Sequence, residues 1–240
     1  MVKPIAKDPT ALSLQRDWRD AGLGLGVGLR SRTWISVFGE LLERHSEPNR
    51  RYHGVEHIAA VLRGLVELTG DLDPELVLVA FFHDAIYDAT RIDNEERSAQ
   101  LAEERLRRVG LTDSTIGFVC ETIRATAGHQ LPDQSALPGG EADLERAAAF
   151  LDADLSILGA WDKTYSGYAE AIRQEYAHME DHAFTQGRAG VLRSFLDREQ
   201  LYFTDAGQMA WEAAARRNLQ RELTSLEAIL SAAPPAAEDP

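Results

Sequence analysis

The residues able to do chemistry are concentrated in one stretch, Arg51 to Asp84 (RYHGVEHIAAVLRGLVELTGDLDPELVLVAFFHD). His53 and His57 stand four residues apart, and the stretch ends an apolar run on the adjacent pair His83 and Asp84. On a helix beginning near Tyr52, residues i and i+4 stack, so His53, His57, Val61 and Leu65 would share one face, the one that turns to the core. Neutral imidazoles and carboxylates together are the ligand set of a catalytic divalent metal. Two further carboxylates, Asp152 and Asp154, lie in the segment LDADLS after the apolar AAAF. A carboxylate buried there without a partner would be costly, and spacing alone does not choose between the two. His83 and Asp84 diverge by about 100° if both are helical, so they can share one ion only near a helix end, or with Asp84 bridging two ions.

Other residues offer weaker signals. His129 follows the helix ending IRATAG and could reach a second metal or a phosphate. Asp88 and Glu95 could serve a second metal, although helix capping and a solvated face explain their surroundings equally well. Tyr87, Arg173 and Tyr176 could contact substrate, since a phosphate in an acidic protein needs a cation such as arginine. Arg173 in YAEAIRQEY could equally pair with Glu170 or Glu175. The lone Cys120 reads as a small buried hydrophobe. It excludes an internal disulfide framework and fits a reducing compartment.

The elements that must position these residues read as helices almost throughout. A short helix from Leu12 carries Trp18 and is interrupted by AGLGLGVGLRS, a connector that lacks both phosphate-loop glycine patterns. Trp34 to His45 has Ile35, Phe38, Leu41 and Leu42 at helical spacing. Asp73 and Pro74 form a helix start, which favours a buried helix over a buried strand for LVLVAFF. Asp93 caps a helix that stops at Gly110, and Thr112 to about Ala127 forms the next. The Pro- and Gly-rich GHQLPDQSALPGGEAD is a loop. Helices are then expected over 143–158, from Asp162 to about His182, from Arg188 to Leu196, and from about Asp205 to Leu230. Internal repeats are absent and period-2 alternation is nearly so. The fold expected is all-α, one domain over 12–230 between a loose tail at 1–11 and a disordered tail at 231–240.

Composition bounds the function. Hydrophobic residues make up 44% and charged residues 27% of 240, which is ordinary for a globular domain large enough to bury a core. The formal net charge of −14 argues against a nucleic-acid polymer as partner, because that affinity comes from clustered Lys and Arg. The N-terminus MVKPIAKDPT lacks the apolar core of a signal peptide, and no apolar run approaches the roughly 20 residues of a membrane span. A cytoplasmic protein is expected, with its oligomeric state, a homo-oligomer included, left open.

Three ordered blocks carry a family resemblance: Y-H-x-x-x-H at Tyr52 to His57, His83-Asp84, and A-D-L-S at Ala153 to Ser156. Together they resemble the HD superfamily of metal-dependent phosphohydrolases. FHDAIYD, DNEERSA and FLDADLSILG are similar to a little-characterised bacterial branch of it, over about residues 34 to 230. The resemblance implies a helical bundle with a buried metal held by His57, His83, Asp84 and Asp154. Cyclic-nucleotide phosphodiesterases share the first and last blocks, and by that likeness His53 would donate a proton to the leaving oxygen. The chain departs from them after Asp84, where AIYDATRIDNEE lacks their asparagine-bearing block, so a cyclic-nucleotide substrate and a second metal site are left open. The implied reaction is Lewis-acid hydrolysis of a small phosphate ester or nucleotide, by one divalent ion or two (Mn, Fe, Co, Ni, Zn or Mg).

Two rival readings remain at this level. His53 to His57 also spells H-x-x-E-H, the inverted zinc-peptidase motif with Glu56 as base. That leaves His83, Asp84 and Asp154 unexplained. The other rival is a module that holds a metal and a nucleotide without turning the nucleotide over.

Overall fold

Every regular element in the described residues, 9–232 of the computed structural model, is helical, and no strand occurs among them. Of the expected tails, 1–8 and 233–240 lie outside the described residues. Pro9 to Ala11 already belong to the first helix, and Ser231 and Ala232 close the last. The region read from the sequence as one domain divides into two compact units at Asp154–Leu155.

The first unit contains α1 (Pro9–Gly24), α2 (Arg32–His45), α3 (Val55–Thr69), α4 (Pro74–Phe82), α5 (Asn94–Val109), α6 (Asp113–Thr126) and α7 (Glu141–Asp154). Helix α4 is its axis: every residue from Leu76 to Phe82 is buried, and α1, α3, α5, α6 and α7 pack around it. Helix rather than strand wins for LVLVAFF because its start is fixed chemically. The Asp73 carboxylate accepts the Glu75 and Leu76 amides at 2.8 and 3.3 Å, and Pro74 fills the first helical position. Asp73 and Glu75 also receive the Arg146 guanidinium from α7 at 2.8 and 2.6 Å, which ties α4 to α7 at this end.

At the other end of the core, Trp18 and Trp34 stack with centroids 4.1 Å apart, and Phe81 meets Trp18 edge-on at 5.0 Å. Burying each such side chain contributes about 1.5–3 kcal/mol, so this cluster locks α1 and α2 onto α4.

Two helices must approach closely to complete the site. A Cβ on Gly64 of α3 would lie 3.2–3.3 Å from the Cβ, Cα and carbonyl oxygen of Ala153 on α7. Glycine therefore permits the contact that brings α3 beside the C-terminal turn of α7.

The expected boundaries hold where a cap sets them. Thr112 accepts the Thr115 amide, and Gly110 ends α5 in the left-handed region at φ 91°. Asp93 occupies the cap position of α5, but its carboxylate pairs with Arg91 at 2.6–2.7 Å instead of capping.

In the second unit a 3₁₀ segment, Leu155–Gly159, precedes α8 (Asp162–Glu175), α9 (Asp181–Leu196), α10 (Asp205–Gly207) and α11 (Ala213–Ala232). A π-helical turn, Gln208–Glu212, joins the last two. Helix α11 packs on α9 and on the 3₁₀ segment. Asn218 donates to the Leu158 and Ala160 carbonyls at 2.8 Å, and Tyr202 donates to Leu155 at 3.0 Å. Glu222 of α11 receives Arg188 at 2.8 Å and the Tyr165 hydroxyl. The long helix expected from Asp162 to His182 is broken after Glu175. There Arg173 donates to the Tyr176 and Met179 carbonyls and to Asp181, so side-chain bonds replace helical ones.

Candidate metal centre

His57, His83 and Asp154, from three separated segments, turn their ligand atoms to within 4.8 Å of one another. His57 lies on the first full turn of α3, and His83 is the residue that closes α4. Asp154 is the last α-helical residue of α7. His57 Nε2 is 3.0 Å from His83 Nε2 and 3.1 Å from Asp154 Oδ1. Asp84 Oδ2 lies 3.1 Å from His83 Nε2 and 3.5 Å from His57 Nε2, and Asp154 Oδ1 lies 3.5 Å from His83 Nε2.

Two imidazole nitrogens and one Asp154 oxygen thus converge, and Asp84 Oδ2 approaches the two imidazoles beside them. Around a cation bonded at 2.0–2.2 Å, adjacent donors stand about 3.0 Å apart in octahedral and about 3.4 Å apart in tetrahedral geometry. The separations among His57, His83 and Asp154, 3.0 to 3.5 Å, fit donors of one divalent ion. Asp84 reaches back to the His83 ring because α4 ends at Phe82, which frees Asp84 from the helical divergence.

The α4 C-terminus also explains how these groups are aimed. The last carbonyls of a helix lack intrahelical partners. Here side chains take them: His83 Nδ1 bonds the Ala80 carbonyl at 3.0 Å and His45 Nε2 bonds that of Phe81 at 3.1 Å. Arg50 donates to the carbonyls of Asp84 at 2.6 Å and Ala85 at 3.1 Å. With its proton on Nδ1, His83 presents Nε2 as a lone pair toward the centre.

Burial shapes the charges. It pushes His57 below the usual imidazole range, and the nearby Asp154 only partly offsets it. Burial opposes protonation of His83 too, but Asp84 and Asp154 outweigh it and hold that imidazole well above its ordinary value. Both carboxyls are held far below the carboxylate range: burial opposes this, and the facing histidines prevail. Two buried carboxylates facing two imidazoles are electrostatics compatible with a bound cation.

His53 sits beside the centre, outside the ligand group, and outside the helix. Helix α3 starts at Val55, so the expected common face of His53 and His57 does not form. Gly54 is the reason: it is extended, a Cβ there would stand 3.2 Å from the His45 carbonyl, and its amide bonds the Tyr52 carbonyl at 2.8 Å to close a tight turn around His53. The His53 ring stacks on Tyr87 at 4.4 Å, meets Tyr52 edge-on at 4.9 Å, and lies 5.7 Å from the His57 ring.

Of the two carboxylates in LDADLS, Asp154 joins the group; Asp152 is buried but does not. The switch from α-helix to 3₁₀ after Asp154 is a backbone event that residue spacing does not announce. His129 reaches the other oxygen of Asp154, at 3.0 Å, from a left-handed backbone conformation at φ 45°. A non-glycine residue there carries strain, as functional positions often do.

Asp88 accepts Thr90 N and Oγ1 at 2.9 and 2.7 Å. Glu95 lies in the first turn of α5. Arg173 and Tyr176 belong to the second unit, where Arg173 closes the α8–α9 turn. Cys120 is buried, bonds the Ala99 carbonyl, and is pushed by burial up to about 11, so it is a core residue. Glu56 is exposed and accepts the Thr10 hydroxyl at 2.8 Å, so it is not aimed at the ligand group as a peptidase base would be.

Sequence reasoning missed Arg50 and His45. Nothing in SEPNRR separates Arg50 from the exposed Arg51. Comparison with protein-family models, with curated proteins and with solved structures finds no match.

Proposed function

We propose that this chain is a metal-dependent phosphohydrolase of HD-superfamily type, acting on a phosphomonoester or phosphodiester of a small, nucleotide-like molecule. The observation that carries the reading is the buried group of His57, His83 and Asp154, whose ligand atoms lie within 4.8 Å of one another, with Asp84 beside the two imidazoles. When bound, the ion supplies Lewis-acid polarisation of a phosphoryl oxygen and acidifies water. In a chain of net charge −14 it also supplies the positive charge an anionic substrate requires.

The chain's own residues do the rest. Asp84 and Asp154 concentrate negative charge at the centre, and His83 is oriented by its bond to Ala80. His53 stands one ring away, half-buried between Tyr87 and Tyr52, where an imidazolium can protonate a departing alkoxide. The two tyrosine rings pack against its imidazole.

The test is a panel of phosphate esters and nucleotides, run with Mn, Fe, Co, Ni, Zn and Mg in turn. Release of phosphate or nucleoside monophosphate by the wild type, lost in Asp84→Ala, supports the reading. Metal-loaded protein that binds nucleotides but releases nothing across the panel refutes it in favour of a binding module.

A further inference from the structure

We infer that Arg50 is a positioning residue of the cation centre, a buried clamp that holds the start of α3 against the end of α4. The inference rests on the metal-centre reading above. It adds a residue that touches neither cation nor substrate.

The Arg50 side chain is 1% exposed. One terminal nitrogen donates to two carbonyls, that of His53 at 3.0 Å and that of Asp84 at 2.6 Å. The other donates to the Ala85 carbonyl at 3.1 Å, and Nε bonds Glu47 at 3.3 Å. The guanidinium carbon also lies 5.5 Å from the centroid of the Tyr87 ring, the ring that stacks on His53. Every carbonyl it holds therefore belongs to a residue of the site or its immediate neighbour.

Chain connectivity does not supply this link, because His53 and Asp84 are joined only through the whole of α3 and α4. A planar fork with five donors can span carbonyls from both segments at once; a lysine ammonium cannot reproduce the set. The partially negative C-terminus of α4 favours a cation at this place. Removing the fork leaves the α4 end and the turn around His53 free to drift apart by a fraction of an ångström, which is enough to spoil the ligand geometry.

The experiment compares wild type with Arg50→Lys, and uses Arg146→Lys, at the opposite end of α4, as a control for loss of a multiply bonded arginine. Cation affinity is measured by calorimetry with Zn²⁺, and ligand geometry by the visible absorption of Co²⁺-loaded protein. Arg50→Lys is expected to bind 10- to 100-fold more weakly, as losses of residues that orient metal ligands do, with an altered Co²⁺ spectrum. Arg146→Lys is expected to match wild type in both readouts. Unchanged affinity and spectrum in Arg50→Lys overturn the inference and leave the centre intact; wild type that takes up no cation ends both. If Arg50→Lys does not fold, the wild type itself decides. The ¹⁵N signals of the Arg50 guanidinium shift on Zn²⁺ saturation if it is coupled to the centre, and stay still if the inference is wrong.

Discussion

The Nε2 atoms of His57 and His83, 26 residues apart in the chain, face each other at 3.0 Å in a buried site. One proton or one cation must stand between the facing nitrogens, and Asp84 and Asp154 flank them. The behaviour of the molecule should follow from what fills that gap.

Cation binding should stabilise the fold. A ligand present at 100 times its Kd adds about 2.7 kcal/mol if it binds only the native state. Thermal melts with and without Zn²⁺ or Mn²⁺ should show a rise for wild type and none for His83→Ala. Elemental analysis should find the ion in the first and not in the second. An equal rise in both proteins would place the ion elsewhere.

His53→Ala should keep the cation and slow hydrolysis by about 10²–10⁴-fold, the usual contribution of a positioned general acid. The deficit should shrink for substrates with good leaving groups, which need no proton. Loss of the metal along with activity would instead make His53 a ligand.

Gly64→Val should separate α3 from α7, since even a Cβ at this position meets Ala153 at 3.2 Å. Overpacking of this kind costs about 1–3 kcal/mol. Because Asp154 follows Ala153, cation affinity should fall with stability, whereas Gly167→Val, where a Cβ meets nothing within 4 Å, should leave affinity untouched. Denaturant titration and calorimetry separate the two effects.

His45 gives a pH dependence with a defined sign. Burial, helped by Arg50 and opposed by Asp84, lowers it from 6.5 to about 3. The unfolded chain therefore binds a proton in this range and the folded chain does not. Stability from this group is fully present above pH 6.5 and is lost as pH falls toward about 3, by up to roughly 1.4 kcal/mol per unit. His45→Gln can still donate to the Phe81 carbonyl but does not titrate. The difference in unfolding free energy between the two proteins should narrow steadily from pH 7 to pH 5. A constant difference would show that His45 is not neutral in the fold.

The elements were legible wherever a local signal fixed them. Asp73-Pro74 announced α4, and Gly110 and Thr112 marked the α5–α6 boundary, because caps act over three or four residues. The start of α3 and the break after Glu175 were not legible. A side chain at Gly54 would crowd the distant His45 carbonyl, and the α8–α9 turn is closed by the Arg173 side chain, so neither depends on local propensity alone.

The amino-acid order by itself determined that the chain is helical, that α4 is too apolar to lie anywhere but inside, and that His57, His83 and a carboxylate near Asp154 are the residues to watch. The tertiary structure set Asp154 rather than Asp152 beside the histidines and His53 outside that group, as the family resemblance implied and spacing did not, and it alone brought in Arg50 and His45. The physical reason is range: capping and periodicity are properties of neighbours along the chain. The meeting of His57, His83 and Asp154 is set by where helices end and how closely they approach, here at Phe82, at Asp154 and across Gly64.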